Sequence, residues 1–238
     1  NELIQKLCYR FSDMIIVTTV EDKEYLRTKF NVPADKIIQI PNSIDLQLFN
    51  PSKVPLCWDG NVGVISVGRL VKQKNFQNLI RAIEKIDQIN ELLLIGEGHD
   101  RGFLEKLAEE IKIPVIFTGA LPNNEIPKIL RKYHIFVMPQ FYGTGLSKVI
   151  IEAMACGLIV IASDISAHRE IIQNGLNGFL CGTSSEEIKA CLLAILQKPP
   201  SDLAKISKQA SEDAQSKYSM KACAQKELSE IINLFKKN

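Results

Sequence analysis

A chain of 238 residues, 46% hydrophobic and 24% charged, exceeds the usual size of a single domain and can bury a sizeable core. Its 29 Lys and Arg against 27 Asp and Glu leave a formal charge of +2, and no block of like charge makes the stripe of a nucleic-acid or membrane-surface binder. Six cysteines (Cys8, Cys57, Cys156, Cys181, Cys191 and Cys223) form no CxxC pair and no Cys/His cluster, so zinc and dithiol motifs are unsupported.

The thiols read as reduced, in a cytoplasmic protein. No run of eighteen apolar residues and no signal peptide is visible, and a start at Asn1 reads as a processed chain or an excised piece.

In chain order, residues 1–41 give a helix-like opening, a strand over 13–19, a helix over 20–30 and a strand over 36–41. This βαβ piece is too small for a core of its own and needs a neighbour. Residues 42–60 are rich in Pro, Asn, Asp and Ser and read as a linker. From residue 62 onward strands and helices alternate. "VGVISVG" (62–68) is an apolar run closed by glycine, and Phe76, Leu79, Ile80, Ile83 and Ile86 then follow at helical spacing. Strands at 91–96, 114–119, 135–139, 158–163 and 178–182 repeat the unit, with helices near 100–111, 123–132, from 147, 166–173 and 185–196. Ser185 is placed at the cap of the last of these and Glu187 in its first turn. Six strands, each trailed by a helix, predict an α/β doubly wound parallel sheet over 61–200. Residues 201–238 are polar and helical, with no strand.

Ligands of such sheets bind at the carboxyl ends of strands, which makes four strand-to-helix turns candidate sites. The first puts Gly68 and Arg69 directly after a strand and Lys74 at the mouth of the next helix, a favourable place for a diphosphate; solvated surface cations are the other reading. The second carries Gly96 and Gly98 but has Arg101 where G-x-G-x-x-G needs its third glycine, so close approach to a ligand and an ordinary tight turn both stand. The third ends in Thr118 and Gly119, whose backbone is placed to face a flat base. In the fourth, Gly143 and Gly145 let the loop pass near a ligand, and the N–H groups of Gly145, Leu146 and Ser147 point outward at a helix start. Glu152, about two turns into that helix at 3.6 residues per turn, sits among apolar residues and needs donors: sugar hydroxyls, a backbone amide or a Lys.

The ordered set "IIQIPNSIDLQLFNP", "ISVGRLVKQKN", "LLLIGEG", "VIFTGALPNNEI", "YHIFVMPQ", "GLSKVIIEAMACGLIVIASD" and "REIIQNGLNGFL" resembles the donor-binding half of the family 4 retaining glycosyltransferases of the GT-B fold, over nearly the whole chain. The resemblance implies that Arg69 and Lys74 hold the donor diphosphate, that the N–H groups of Gly145, Leu146 and Ser147 assist, and that Glu152 binds the ribose. It places the base near Thr118, Gly119 and Leu121, with Gly68 and Gly98 also among the donor-binding residues. It also implies metal-independent, cofactor-free transfer with retention, with Arg69, Lys74 and Thr144 as the candidate catalytic residues. The family usually carries an acid eight positions before Glu152, where this chain has Thr144; in the other loop register the acid's place falls on Gly143.

GT-B enzymes have a second domain that brings the acceptor site and a catalytic His, and residues 1–41 resemble only its last piece. Residues 201–238 resemble the helices that cross back toward it. His99, His134 and His168 match no catalytic position and read as structural or surface residues. The expected partners are a nucleotide sugar, a glycan, lipid or other acceptor, and an amino-terminal domain or partner chain, through which a membrane surface is reached. The other reading is a non-catalytic nucleotide-sugar-binding module working with a partner chain. A dehydrogenase lacks its fingerprint here, and an epimerase lacks placeable acid/base residues.

Overall fold

The computed structural model describes residues 2–52, 58, 60–143 and 145–237. Thr144, and the part of the expected linker at 53–57 and 59, lie outside the described residues.

Helix α1 (Glu2–Phe11) leads into β1 (Ile15–Val17), α2 (Val20–Phe30) and β2 (Ile37–Gln39). The two strands pair in parallel over a small cluster of Val17, Leu26, Val32 and Ile37. Both strands are shorter than the apolar runs predict, because a two-stranded ribbon pairs each strand on one side only. Thr19 caps α2, its hydroxyl accepting from the Asp22 N–H at 3.0 Å, and Asn31 closes it in the left-handed region at φ 54°.

Six further strands form one parallel sheet: β3 (Val62–Val67), β4 (Ile89–Ile95), β5 (Val115–Gly119), β6 (Ile135–Met138), β7 (Ile159–Ser163) and β8 (Phe179–Cys181). Their spatial order is β5-β4-β3-β6-β7-β8. Every residue of the central β3 is buried, which its nearly continuous apolar run requires of a strand covered on both faces. The order reverses between β3 and β6, so the crevice outside their carboxyl ends is where the topology opens a binding site.

The connections are α3 (Phe76–Ile83), α4 (Arg101–Glu109), α5 (Ile126–Leu130), α6 (Lys148–Ala155), α7 (Ser166–Arg169) and α8 (Ser185–Leu196). One face of the sheet is covered by α3 and α8, with Ile80, Ile83, Ile188 and Leu192 fully buried. On the other face, α6 packs Ile150, Ile151 and Met154 against Phe136, Met138 and Val160. Helix α7 is a single turn rather than the longer helix predicted over 166–173. The cap of α8 is Ser184, not Ser185. Ser184 Oγ accepts from Glu187 N–H at 3.2 Å while Glu187 Oε2 accepts from Ser184 N–H at 3.1 Å, and only the three-residue Ser-to-Glu spacing closes such a box.

The tail forms α9 (Pro200–Tyr218), which packs on α6 and β7, and α10 (Met220–Lys237). Between them the chain returns to the linker, where Ile44 N–H donates to the Tyr218 carbonyl at 2.8 Å and its own carbonyl accepts from Met220 N–H at 3.3 Å. Among the described residues no helix is long and apolar enough to cross a membrane.

Ile80 tests the α3 face of the core. Replacing it with Ala should cost about 2–5 kcal/mol, read as a lower urea midpoint at unchanged slope.

Candidate functional site

The first turn begins where β3 ends. After Gly68 and Arg69 the chain makes a 3₁₀ turn (Lys72–Lys74) and enters α3 through Asn75, held in the left-handed region at φ 58°. Several of its partners lie past the ends of other strands. The Gln73 carbonyl accepts from Phe141 N–H at 3.0 Å, and Gln73 Nε2 donates to the Tyr142 carbonyl at 2.9 Å. The buried Asn75 donates to the carbonyls of Pro139 and Thr183, each at 2.8 Å. These bonds staple the Arg69/Lys74 turn to the segment after β6, so the first and fourth candidate turns face one crevice.

Lys74 is half-buried, its stem lying along Gly68, where an added Cβ would sit 3.7 Å from Lys74 Cε. Its Nζ donates to Gln140 Oε1 at 2.6 Å. Gln140, 4% exposed, in turn meets His168 Nε2 at 3.0 Å, and His168 Nδ1 lies 2.8 Å from the Ser163 carbonyl. A carbonyl only accepts, so Nδ1 carries the proton; Nε2 then accepts from the Gln140 amide, and Oε1 is left for Lys74. Burial, opposed by the bond to Ser163 and assisted by the Lys74 charge, pushes the His168 pKa down to about 4, so the ring is neutral. Burial and then the neighbouring Arg69 charge lower that of Lys74, and no carboxylate among the described residues pairs with Lys74 or Arg69.

In the fourth turn Gly145 adopts φ 77° and Leu146 is buried. Ser147 is the cap of α6, yet its side chain makes no capping bond, which leaves the first-turn N–H groups without a side-chain partner from the cap. The amino-terminal piece touches this loop: Asn42 Nδ2 donates to the Leu146 carbonyl at 2.8 Å, and Thr18 Oγ1 would lie 3.4 Å from a Cβ on Gly145. Glu152 is the fifth residue of α6, one turn in rather than two, because the helix starts at Lys148. It is 3% exposed; burial raises its pKa against the opposing charge of Lys148, whose Nζ lies 3.9 Å away. At that distance the ion pair leaves the carboxylate's lone pairs open to hydroxyl donors.

Gly96 and Gly98 lie against the first turn. A Cβ on Gly96 would overlap the Gly68 carbonyl and one on Gly98 the Leu70 carbonyl, so both glycines admit a neighbouring loop. That contact is sealed by Leu70 N–H donating to the Glu97 carbonyl at 2.8 Å and Asp100 N–H to the Leu70 carbonyl at 3.0 Å. Gly119, at φ 77°, accepts from Gly96 N–H at 2.9 Å; Thr118 is exposed beside it and Leu121 half-buried. The second and third turns therefore form one wall adjoining the first. Of the other histidines, His99 is exposed and His134 accepts from Gly63 N–H at 3.1 Å at the opposite end of β3. Gln140 escaped the sequence reading, and His168 was read there only as a structural or surface residue; the structure buries it completely. Gln140 stands two residues past the end of β6 and His168 five past the end of β7, within α7, and the fold brings them together.

Residues 59–217, well over half of the chain, match the family Glycosyl transferases group 1. The chain belongs to this family. An uncharacterized glycosyltransferase of Methanocaldococcus jannaschii is 26% identical over 214 residues, covering 83% of this chain and 53% of that protein. The N-acetylgalactosamine-N,N'-diacetylbacillosaminyl-diphospho-undecaprenol 4-alpha-N-acetylgalactosaminyltransferase of Campylobacter jejuni is 28% identical over 189 residues, covering 78% of this chain and 51% of that protein. The chain thus spans about half the length of these relatives. Among solved structures, sucrose-phosphate synthase of Thermosynechococcus elongatus superposes with a TM-score of 0.82 at 24% identity, over 99% of this chain and 62% of that one. HepE of Anabaena, solved with UDP and glucose, gives 0.80 at 21% identity, over 95% and 64%. The fold is therefore that of the GT-B glycosyltransferases, and all four candidate turns of this group 1 chain lie within the matched residues.

The neutral, buried His168 predicts a pH dependence. An unfolded His takes up a proton near pH 6.5, whereas the native one does so only at about 4, so stability is complete above 6.5 and falls on acidification through that window. The loss should approach about 3 kcal/mol, measured as a urea midpoint that drops more steeply with acid than in His168→Gln.

Proposed function

We propose that this chain is the donor half of a family 4 retaining glycosyltransferase. It binds a nucleotide diphosphate sugar, and the glycosyl group passes with retention to an acceptor held by another domain. The observation that carries this reading is Lys74, a half-buried ammonium beside Arg69, bonded to a neutral amide and lacking a carboxylate partner among the described residues. Such a group needs an anion to complete it. A diphosphate reaching from Arg69 and Lys74 to the N-terminus of α6 supplies one, and Glu152 in the first full turn is then within the same crevice for ribose hydroxyls. The retaining, family 4 assignment rests on the ordered motifs; the UDP bound to HepE supports the ligand class.

In the reaction the anomeric carbon–oxygen bond breaks and negative charge gathers on the leaving diphosphate. Arg69, Lys74 and the loop N–H groups stabilise that charge with no metal or cofactor, and the acceptor hydroxyl attacks from the face the diphosphate leaves, its proton passing to the departing phosphate oxygen. Thr118, Gly119 and Leu121 take the base, and in the order of the motifs Thr144 occupies the sequence position of the usual acid. Because residues 140–147 contain no carboxylate, a second reading remains attached to the same site: a nucleotide-sugar-binding module that acts only with a partner chain.

Titration calorimetry with UDP, GDP, ADP and their sugar conjugates should find one nucleotide preferred, and Arg69→Ala should weaken it by about 10- to 100-fold. Unchanged affinity in that variant, or binding of none of the panel, sinks the donor-site reading. Glu152→Ala should weaken the same nucleotide about tenfold and erase discrimination against its 2′-deoxy form. Transfer on adding the amino-terminal domain separates the enzyme from the binding module.

A further inference from the structure

We infer that Gln140 and His168 are positioning residues of the diphosphate site, a relay from the Ser163 carbonyl that fixes where the Lys74 ammonium stands. The inference rests on the donor reading of Lys74 and adds to it the residues that hold that cation in place.

Three strand ends contribute. Lys74 follows β3, Gln140 follows β6 and His168 lies in the turn after β7, and neighbouring members are joined at 2.6 and 3.0 Å, with the last step to Ser163 at 2.8 Å. The relay runs in one direction, because it begins on a backbone carbonyl that can only accept and ends on an ammonium that can only donate. This fixes the Gln140 amide with its oxygen toward Lys74; the flipped amide would set two donors against each other.

A neutral acceptor suits this place. A carboxylate at 140 would hold Lys74 equally well but cancel the charge that the diphosphate must meet, whereas an amide orients the ammonium and leaves its charge uncompensated. The same amide also touches the glycine loop: a Cβ on Gly143 would sit 2.5 Å from Gln140 Nε2. One side chain therefore sets the lysine and the loop backbone relative to each other. A buried Gln–His pair that served packing alone would have no need of Lys74, and that difference is measurable.

The experiment is a double-mutant cycle on the chain, read by calorimetry with whichever of UDP, GDP and ADP binds most tightly and with its monophosphate. Gln140→Met should weaken the diphosphate by about tenfold and the monophosphate by less than about twofold, and should have no further effect in a Lys74→Ala background. Gln140→Asn keeps an amide but falls one methylene short of spanning both neighbours, so it should reproduce the loss even if Gln140→Met folds poorly. His168→Gln should shift the same ratio in the same direction. Equal losses for diphosphate and monophosphate, or losses that add to that of Lys74→Ala, overturn the positioning role and leave the donor site standing. A Lys74→Ala chain that binds the diphosphate as well as wild type overturns both.

Discussion

An ammonium group that the fold buries halfway, with no carboxylate partner among the described residues, constrains everything around it. Lys74 stands beside a second cation and bonds to an amide, so the local field is positive at the point where the sheet order reverses. The cost of that arrangement is borne by the hydrophobic sheet beneath: β3 buried along its length, with apolar helix faces on both sides. The bonds from Gln73 and Asn75 to the segment after β6 keep the two halves of the crevice at one spacing. Without a rigid frame the cation would turn to solvent and its field would be screened.

Much of the frame was legible in the chain. The apolar run at 62–68 and the helical spacing from Phe76 to Ile86 reflect burial on both faces and on one face, and such burial is what periodicity reports. Arg69, Lys74 and the Gly145–Ser147 turn could be singled out because they follow strands whose carboxyl ends open the crevice of a parallel sheet, with solvated surface cations as the other reading of the first two. The role of Gly98 was not, since a glycine admitting a ligand and one admitting a neighbouring carbonyl look alike in sequence. Gln140 and His168 were hidden for another reason: their meaning lies wholly in a contact between residues 28 apart, made by strands that pair only in the folded sheet. The misplaced cap at Ser185 shows the finer limit, where a Ser-Ser pair is decided by which one meets Glu187.

The amino-terminal piece is more than an appendage to the sheet. Glu170, in the turn after β7, accepts from the Val20 N–H at 2.9 Å and from Gln39 Nε2 at 2.8 Å, placing negative charge at the N-terminus of α2. With the Asn42 bond to Leu146, this ties the small βαβ piece to both the loop and the α7 turn. The linker and the returning tail meet at Ile44, which bonds to both Tyr218 and Met220.

The far end of the buried relay is a main-chain oxygen. Side chains drift over evolutionary time, but the carbonyl of residue 163 persists whatever amino acid occupies that position. The side-chain members of this support therefore stand at only two positions, Gln140 and His168, while the Ser163 side chain has a separate task, its hydroxyl donating to the Met138 carbonyl at 3.3 Å. An anchor drawn from the backbone makes the orientation of a charged group a property of the fold itself, inherited with the strand rather than selected residue by residue.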